Sequence, residues 1–315
     1  MNKIEINDWK SKTGRETLFF HPKSNIVFDC FPRSKSTLII SNIHSNTTGQ
    51  SANTWNQILR ARYVASKENI SLSKKVMCLR SPQERFRSFL ISKIVNPHAT
   101  SILPLFFSDS PDLVNFLCGN SSGIKFSKSL NSLLNNASSS KLSTDLHDAV
   151  NYSPIFSKAN PHQRKDIFYF LNYIFNEYLS FNVETILEKL LTIVDKDPVL
   201  DQHIMSQSFL STFQLSDYDY LISVDNLNSF AVFYKENTGF DFSYGENNTS
   251  QKNTQYLFNE YDCGHESIKD LRLKTKSKIT PTLKSIFSPK NLWMHFKIYE
   301  RDYDLMLSCR EQYAS

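Results

Sequence analysis

Apolar positions along the chain fall into two kinds of run, one short and continuous, the other recurring at helical spacing. Asn25-Ile-Val-Phe-Asp-Cys30 is a continuous run that stops at Phe31-Pro32, and a helix-like stretch follows at once from Ser36 to about Ile43. The spacing predicts a second helix over Thr54 to Ser66. Lys75-Val-Met-Cys-Leu79 then repeats the strand pattern, and Pro82 to Val95 repeats the helical one. Further along, Pro161 to Val194 predicts two helices, the first carrying Ile167, Phe168, Phe170, Leu171, Ile174 and Phe175, the second Val183, Ile186, Leu187, Leu190 and Leu191. Tyr218-Asp-Tyr-Leu-Ile-Ser-Val224 predicts a third strand, Asn226 to Asn237 the helix after it, and Asn291 to Ser308 a helical tail.

Buried strands that are each followed by a helix predict an α/β fold in which a parallel sheet is covered by helices on both faces. Residues 96–160, rich in Ser and Asn, read as an insertion of loops and short helices. With 315 residues and no internal repeat, the chain is expected to form one domain over 1–315 with that insertion inside it.

Composition narrows the class. Hydrophobic residues at 40% and charged residues at 21% exclude disordered and collagen-like chains. The net charge of +5 suits an anionic ligand but is too small for a surface that coats nucleic acid, so no nucleic-acid partner is expected. No apolar run approaches the roughly 20 residues of a membrane span, and the opening residues lack the apolar core of a secretory signal. The five cysteines are odd in number and show no C-x-x-C spacing. Cys30 and Cys78 lie in the apolar runs and read as buried thiols of a reducing compartment, which makes a cytoplasmic location the expectation.

Two stretches carry chemistry. Phe31-Pro-Arg-Ser-Lys-Ser-Thr37 joins the carboxyl end of the first strand to a helix start, the place where α/β sheets bind ligands. Free amides of a helix start, the hydroxyls of Ser36 and Thr37 and the cations Arg33 and Lys35 converge there, as a phosphate requires. The G-x-x-x-x-G-K-[ST] pattern is absent, which disfavours a magnesium-dependent nucleoside triphosphatase. In Leu79-Arg-Ser-Pro-Gln-Glu-Arg-Phe-Arg-Ser88, Arg80 ends a strand, and Ser81, Pro82 and Glu84 have the spacing of a capping box around a helix start. Ser81, Arg85, Ser88 and Ser92 recur along one helical face, which lets Arg80 and Ser88 close on one anion from two sides.

Together these stretches resemble the cytosolic and carbohydrate sulfotransferases that use 3′-phosphoadenosine 5′-phosphosulfate (PAPS). Phe31-Pro-Arg-Ser-Lys-Ser-Thr37 is similar to that superfamily's P-K-[ST]-G-[ST]-T loop for the 5′-phosphosulfate, and Arg80-Ser-Pro-Gln-Glu-Arg-Phe-Arg-Ser88 to its R-x-P-x-x-R-x-x-S element for the 3′-phosphate. Asp201-Gln-His-Ile-Met-Ser-Gln207 resembles the H-W-x-P-Q segment of the carbohydrate branch. Tyr218-Asp-Tyr-Leu-Ile-Ser-Val-Asp-Asn-Leu227 resembles its Y-D-x-I-x-x-x-E-x-L, and Ile298-Tyr-Glu-Arg-Asp-Tyr-Asp-Leu305 its closing I-Y-x-x-D-[YF]-x-L. The order is the family's, and the likeness runs from about residue 25 to 305 but leaves out 96–160.

The resemblance implies a P-loop NTPase-like sulfotransferase fold with a helical insertion, and metal-independent transfer of a sulfuryl group from PAPS to an acceptor hydroxyl, in the first instance of a glycan. It implies that Arg33, Ser34, Lys35, Ser36 and Thr37 hold the 5′ end of the donor and that Arg80 and Ser88 hold its 3′-phosphate. Arg33 stands where the family has lysine. Arginine keeps its proton, so Lys35 is the candidate to pass one to the leaving oxygen. Lys35 in turn stands where the family has glycine, at a cost of roughly 1 kcal/mol if that position needs a positive φ. For the general base, His203 beside Asp201 is the candidate, with His44 on the helix after Thr37 as the alternative, while His98 after the second helix reads as a loop residue. Arg272, Lys274, Lys276, Lys278, Lys284 and Lys290 read as a solvated basic surface, or else as a contact for a polyanionic acceptor or an acidic membrane face. Two rival readings stand beside the enzyme: a nucleotide-binding interaction module of the same fold that has lost turnover, and a phosphoryl-transfer enzyme.

Overall fold

The computed structural model describes residues 17–51, 57–95, 160–196, 203–244, 255–256, 264–276 and 279–311. In chain order its elements begin with β1 (Leu18–His21), β2 (Ile26–Cys30), α1 (Ser36–Thr48), α2 (Gln57–Arg62), α3 (Lys67–Leu72), β3 (Lys74–Leu79) and α4 (Pro82–Phe89), which runs on as a π-helical turn over Leu90–Val95. There follow α5 (Pro161–Asn176), α6 (Val183–Lys196), α7 (Gln207–Leu210), β4 (Tyr220–Ser223), α8 (Leu227–Thr238) and β5 (Gln255–Tyr256). The chain continues through α9 (Ile268–Lys276), β6 (Ile279–Thr280), α10 (Leu283–Ile286), α11 (Pro289–Ile298) and α12 (Glu300–Glu311). Two compact units result, one made of 1–86, 201–254 and 295–315, the other of 87–200 and 255–294.

The first unit is built on a four-stranded sheet in the order β1-β2-β3-β4, with β2, β3 and β4 mutually parallel and β1 antiparallel at the edge. It is thus an α/β structure with a mostly parallel sheet and flanking helices. Because side chains alternate along a strand, Ile26, Phe28 and Cys30 of β2 share a face with Val76 and Cys78 of β3. Those residues form one cluster with Ile39, Ile40 and Ile43 of α1 and with Phe230, Phe233 and Tyr234 of α8. The opposite face is buried as well: Val27, Asp29, Met77 and Leu79 are all inaccessible. Continuous burial explains why β2 and β3 read as unbroken apolar runs. Cys30 and Cys78 stand side by side in register as buried thiols, and Cys309 is a third. Cys118 and Cys263 lie outside the described residues, as do residues 96–159 of the insertion expected over 96–160.

Asp29 is the one charged side chain in β2. Its Oδ2 accepts from the Tyr218 hydroxyl at 2.6 Å and from the Thr212 amide at 3.0 Å, which ties the stretch ahead of β4 to the middle of the sheet. Burial, and then the charge of Asp29, push the Tyr218 hydroxyl far above the ordinary tyrosine value, so it stays a donor.

In the second unit α6 buries Val183, Ile186, Leu187, Leu190, Leu191 and Val194 on one face, as its spacing predicts. The short parallel pair β5–β6 lies in the same unit. Of the basic cluster, Lys278 lies outside the described residues and Lys284 is exposed. Arg272 is buried with Nη1 on the Val95 carbonyl, Lys274 pairs with Glu266, and Lys290 pairs with Glu188. Among the described residues, no helix is long and apolar enough to cross a membrane.

Candidate functional site

Three parallel strands end on the same side of the sheet, with Cys30 opposite Cys78 and Leu79 opposite Ser223. The residues that follow them are therefore neighbours: Phe31 to Lys35 after β2, Arg80 and Ser81 after β3, and Asp225 after β4. Carboxyl ends of parallel strands are where ligands bind in sheets of this class.

The loop after β2 has an unusual backbone. Arg33 has φ 68° and Lys35 φ 57°, both left-handed, while Ser34 between them is not. Alternation of this kind turns successive N–H groups toward one concave side, a nest that suits an anion. Lys35 is also the N-cap of α1, with no side-chain cap, and among the described residues nothing accepts from the amides of Lys35, Ser36 or Thr37. These amides stand at the positive end of a 13-residue helix. Ser34 plays a different part from Ser36 and Thr37. It is fully buried, and both its amide (3.0 Å) and its hydroxyl (2.6 Å) donate to the Phe31 carbonyl, which closes the turn.

Arg80 meets this loop directly. Its Nη1 donates to the Arg33 carbonyl at 2.9 Å, while its contacts to Glu84 Oε2 and Asp225 Oδ1 are both 3.4 Å. The first is a good hydrogen bond; the other two are long for charge-assisted pairs. Arg85, 2% exposed, adds a second hold on the loop, with Nε donating to the Pro32 carbonyl at 2.9 Å and Nη1 to the Met205 carbonyl. Two arginines of one strand-to-helix element thus grip consecutive carbonyls of the strained loop. Burial, and then the proximity of Arg80, lower the Lys35 ammonium below the ordinary lysine value, with Asp225 and Glu84 acting against that.

The helix start after Arg80 differs from the capping box its spacing predicts. The Ser81 amide donates to Asp225 Oδ2 at 2.6 Å, and Glu84 turns its carboxylate toward Arg80. A carboxylate from the neighbouring strand end outcompetes the local one because it arrives with its own backbone fixed.

The structure therefore brings Arg33, Ser34, Lys35, Ser36, Thr37 and Arg80 together. Ser88 lies in the last turn of α4, half-buried, and belongs to the second unit. His203 is half-buried in the turn that precedes α7. His44 stands eight residues into α1, roughly 12 Å along the axis from Ser36. There its ring faces the Tyr63 and Thr48 hydroxyls at 3.3 and 3.4 Å, so it is removed from the loop. His98 falls outside the described residues. Sequence reasoning missed the parts of Arg85, Gln207, Asp225 and Asp302. For Asp225 a signal existed, since it directly follows the third strand; for the others the spacing carries none.

Comparison of the chain with models of protein families, with curated proteins and with solved structures finds no match.

Proposed function

We propose that the chain is a sulfotransferase that moves a sulfuryl group from PAPS to a hydroxyl of a glycan or glycoconjugate. The observation that supports this reading best is the left-handed pair Arg33 and Lys35 at the start of α1, gripped by Arg80 from the next strand end. A strained backbone of this sort costs on the order of 1–3 kcal/mol per residue and persists where its surroundings over-determine it. Here the strained turn sets two cations beside the amides that open α1.

In this reading the amides of Lys35, Ser36 and Thr37 with Arg33 take the 5′ end of the donor, and Arg80 takes its 3′-phosphate by exchanging the long contacts to Glu84 and Asp225 for the ligand. The Arg33 carbonyl contact is kept. Transfer in line builds charge on the leaving phosphate, and fixed N–H dipoles and cations stabilise it without reorganising. Lys35, with its lowered proton affinity, serves as the proton donor to the leaving oxygen. His203 is the acceptor-side base, and the acceptor hydroxyl comes from the carbohydrate class that the segments around Gln207, Tyr218 and Asp302 resemble. No metal is part of the proposed chemistry.

The second reading, a nucleotide-binding module without turnover, draws on Arg33, which holds its proton where a transferring lysine is expected. Two measurements separate the readings. Thermal-shift titration with adenosine 3′,5′-bisphosphate is expected to stabilise the native chain, and Arg80→Ala to lose the shift. Labelled PAPS with pooled glycan extract is expected to give labelled glycan, and Lys35→Gln to lower that yield while still binding the nucleotide. A shift without labelled product moves the assignment to the binding module. No shift at all, or tight magnesium–ATP binding instead, overturns both.

A further inference from the structure

Behind the anion loop the hydrogen bonds run in one unbroken line to the C-terminal helix. Asp302, on α12 and wholly buried, accepts from the Gln207 amide at 2.7 Å through Oδ2. Its Oδ1 accepts from the Ser208 amide at 2.8 Å and the Ser206 hydroxyl at 2.7 Å. Both carboxylate oxygens are thus occupied by the first turn of α7, a four-residue helix too short to be stable unaided. Gln207, the first residue of that turn and also wholly buried, faces β3. Its Oε1 accepts from the Arg80 amide at 3.0 Å, and its Nε2 donates to the Arg80 carbonyl at 2.7 Å.

A side-chain amide that engages both main-chain groups of one residue acts as an added rung beyond the end of the strand. Along β3 the main-chain groups of Lys75 and Leu79 face β4 and those of Lys74 face β2, so Arg80 turns its own toward β2, whose pairing with β3 closes at Cys30 and Cys78 and supplies it no rung. The rung fixes the peptide planes on either side of Arg80, and with them the direction in which its side chain leaves the sheet. An apolar residue of the same size would fill the space but would leave two part-buried main-chain groups without these partners, which is why the position calls for a carboxamide.

We infer that Gln207 is a positioning residue of the anion site, aiming the Arg80 guanidinium, and that Asp302 in turn locks Gln207 in the orientation that does so. The inference rests on the reading of Arg80 as the receiver of the 3′-phosphate. Its structural half, that Gln207 holds the Arg80 main chain, stands on the hydrogen bonds alone.

The test compares the full-length native chain with Gln207→Leu, Gln207→Glu and Asp302→Asn by amide hydrogen exchange and by titration with two nucleotides. In Gln207→Leu, exchange at Arg80 is expected to accelerate about tenfold or more while the β3 amides of Val76 to Cys78 are unaffected. Affinity for adenosine 3′,5′-bisphosphate is expected to fall by about tenfold, while affinity for adenosine 5′-monophosphate, which has no 3′-phosphate, stays the same. Gln207→Glu keeps the acceptor for the Arg80 amide and is expected to keep its protection, with part of the bisphosphate affinity. Asp302→Asn sets an amide group against N–H donors and is expected to follow Gln207→Leu more weakly. A merely structural role predicts equal losses for both nucleotides alongside a lower melting temperature, and that result overturns the inference. So does unchanged exchange at Arg80 in Gln207→Leu. If the native chain binds neither nucleotide, the proposed function fails, and with it the assignment of Gln207 to an anion site, while the exchange measurement still decides whether Gln207 holds Arg80.

Discussion

Lys35 holds a conformation that glycine reaches at no steric cost, and its neighbour but one, Arg33, does the same. For a side-chain-bearing residue the left-handed region costs on the order of 1–2 kcal/mol. The chain retains two such residues in one turn, and both are cations. Lys35→Gly is therefore expected to raise stability by up to about 1 kcal/mol, read as a higher urea midpoint, because relief of strain exceeds the added freedom of the unfolded chain. The same variant is expected to bind adenosine 3′,5′-bisphosphate less tightly, since it removes a half-buried ammonium from the loop. Opposite signs in the two measurements are the signature of strain kept for binding. If the midpoint falls together with affinity, Lys35 is a structural residue and its conformation carries no functional meaning.

Among the elements, those with a strong period were legible and those held by distant partners were not. β2, β3, α6 and α8 fall within a residue or two of their sequence-based limits, because their burial on one or both faces is written in consecutive side chains. β1 was not foreseen: Leu18-Phe-Phe-His21 is short, and its place is set by antiparallel pairing with β2 through Leu18–Asp29 and His21–Ile26. The tail, read as one helix, is two, with Tyr299 between α11 and α12. α8 shows how an end is specified. Asn226 caps its start through the amides of Asn228 and Ser229, and Gly239 at φ 75° closes it, its amide on the Lys235 carbonyl. Nothing lies within 4 Å of where a Cβ on Gly239 would stand, so the penalty for a side chain there is conformational alone. Gly239→Ala is expected to cost about 1 kcal/mol in chemical denaturation, with no change in nucleotide binding. A cost near zero would mean that the end of α8 reorganises freely.

At the scale of the whole chain, acid sensitivity follows from two buried imidazoles. Burial lowers His295 to about 3 and His21 to about 4. In the unfolded chain both take a proton near 6.5, so between that value and about 3 the unfolded state binds more protons than the native one. Stability is expected to be greatest above about 6.5 and to fall steadily as the medium is acidified through that window. His295→Phe, which keeps ring packing against Phe86 and Tyr299, is expected to flatten that dependence in urea midpoints taken from neutral pH downward. An unaltered slope would place the acid-sensitive group elsewhere. As for the candidate site, the two strand-to-helix stretches were legible because each announces itself locally, by a run of apolar residues that stops at hydroxyls and cations. Gln207 and Asp302 were not, because what they do depends on which distant backbone they meet, and for Asp225 the sequence carries its place after the third strand but not its partner, the Ser81 amide. The same distance has a kinetic side. β3 ends at Leu79 and β4 begins at Tyr220, and the parallel bond between them cannot form until all the intervening chain has been made and its ends brought together. The strand end that carries Asp225 and the rung behind Arg80 both arrive with that closure, so a chain still emerging from the ribosome has the loop of residues 31–37 made long before the partners that complete the proposed anion site.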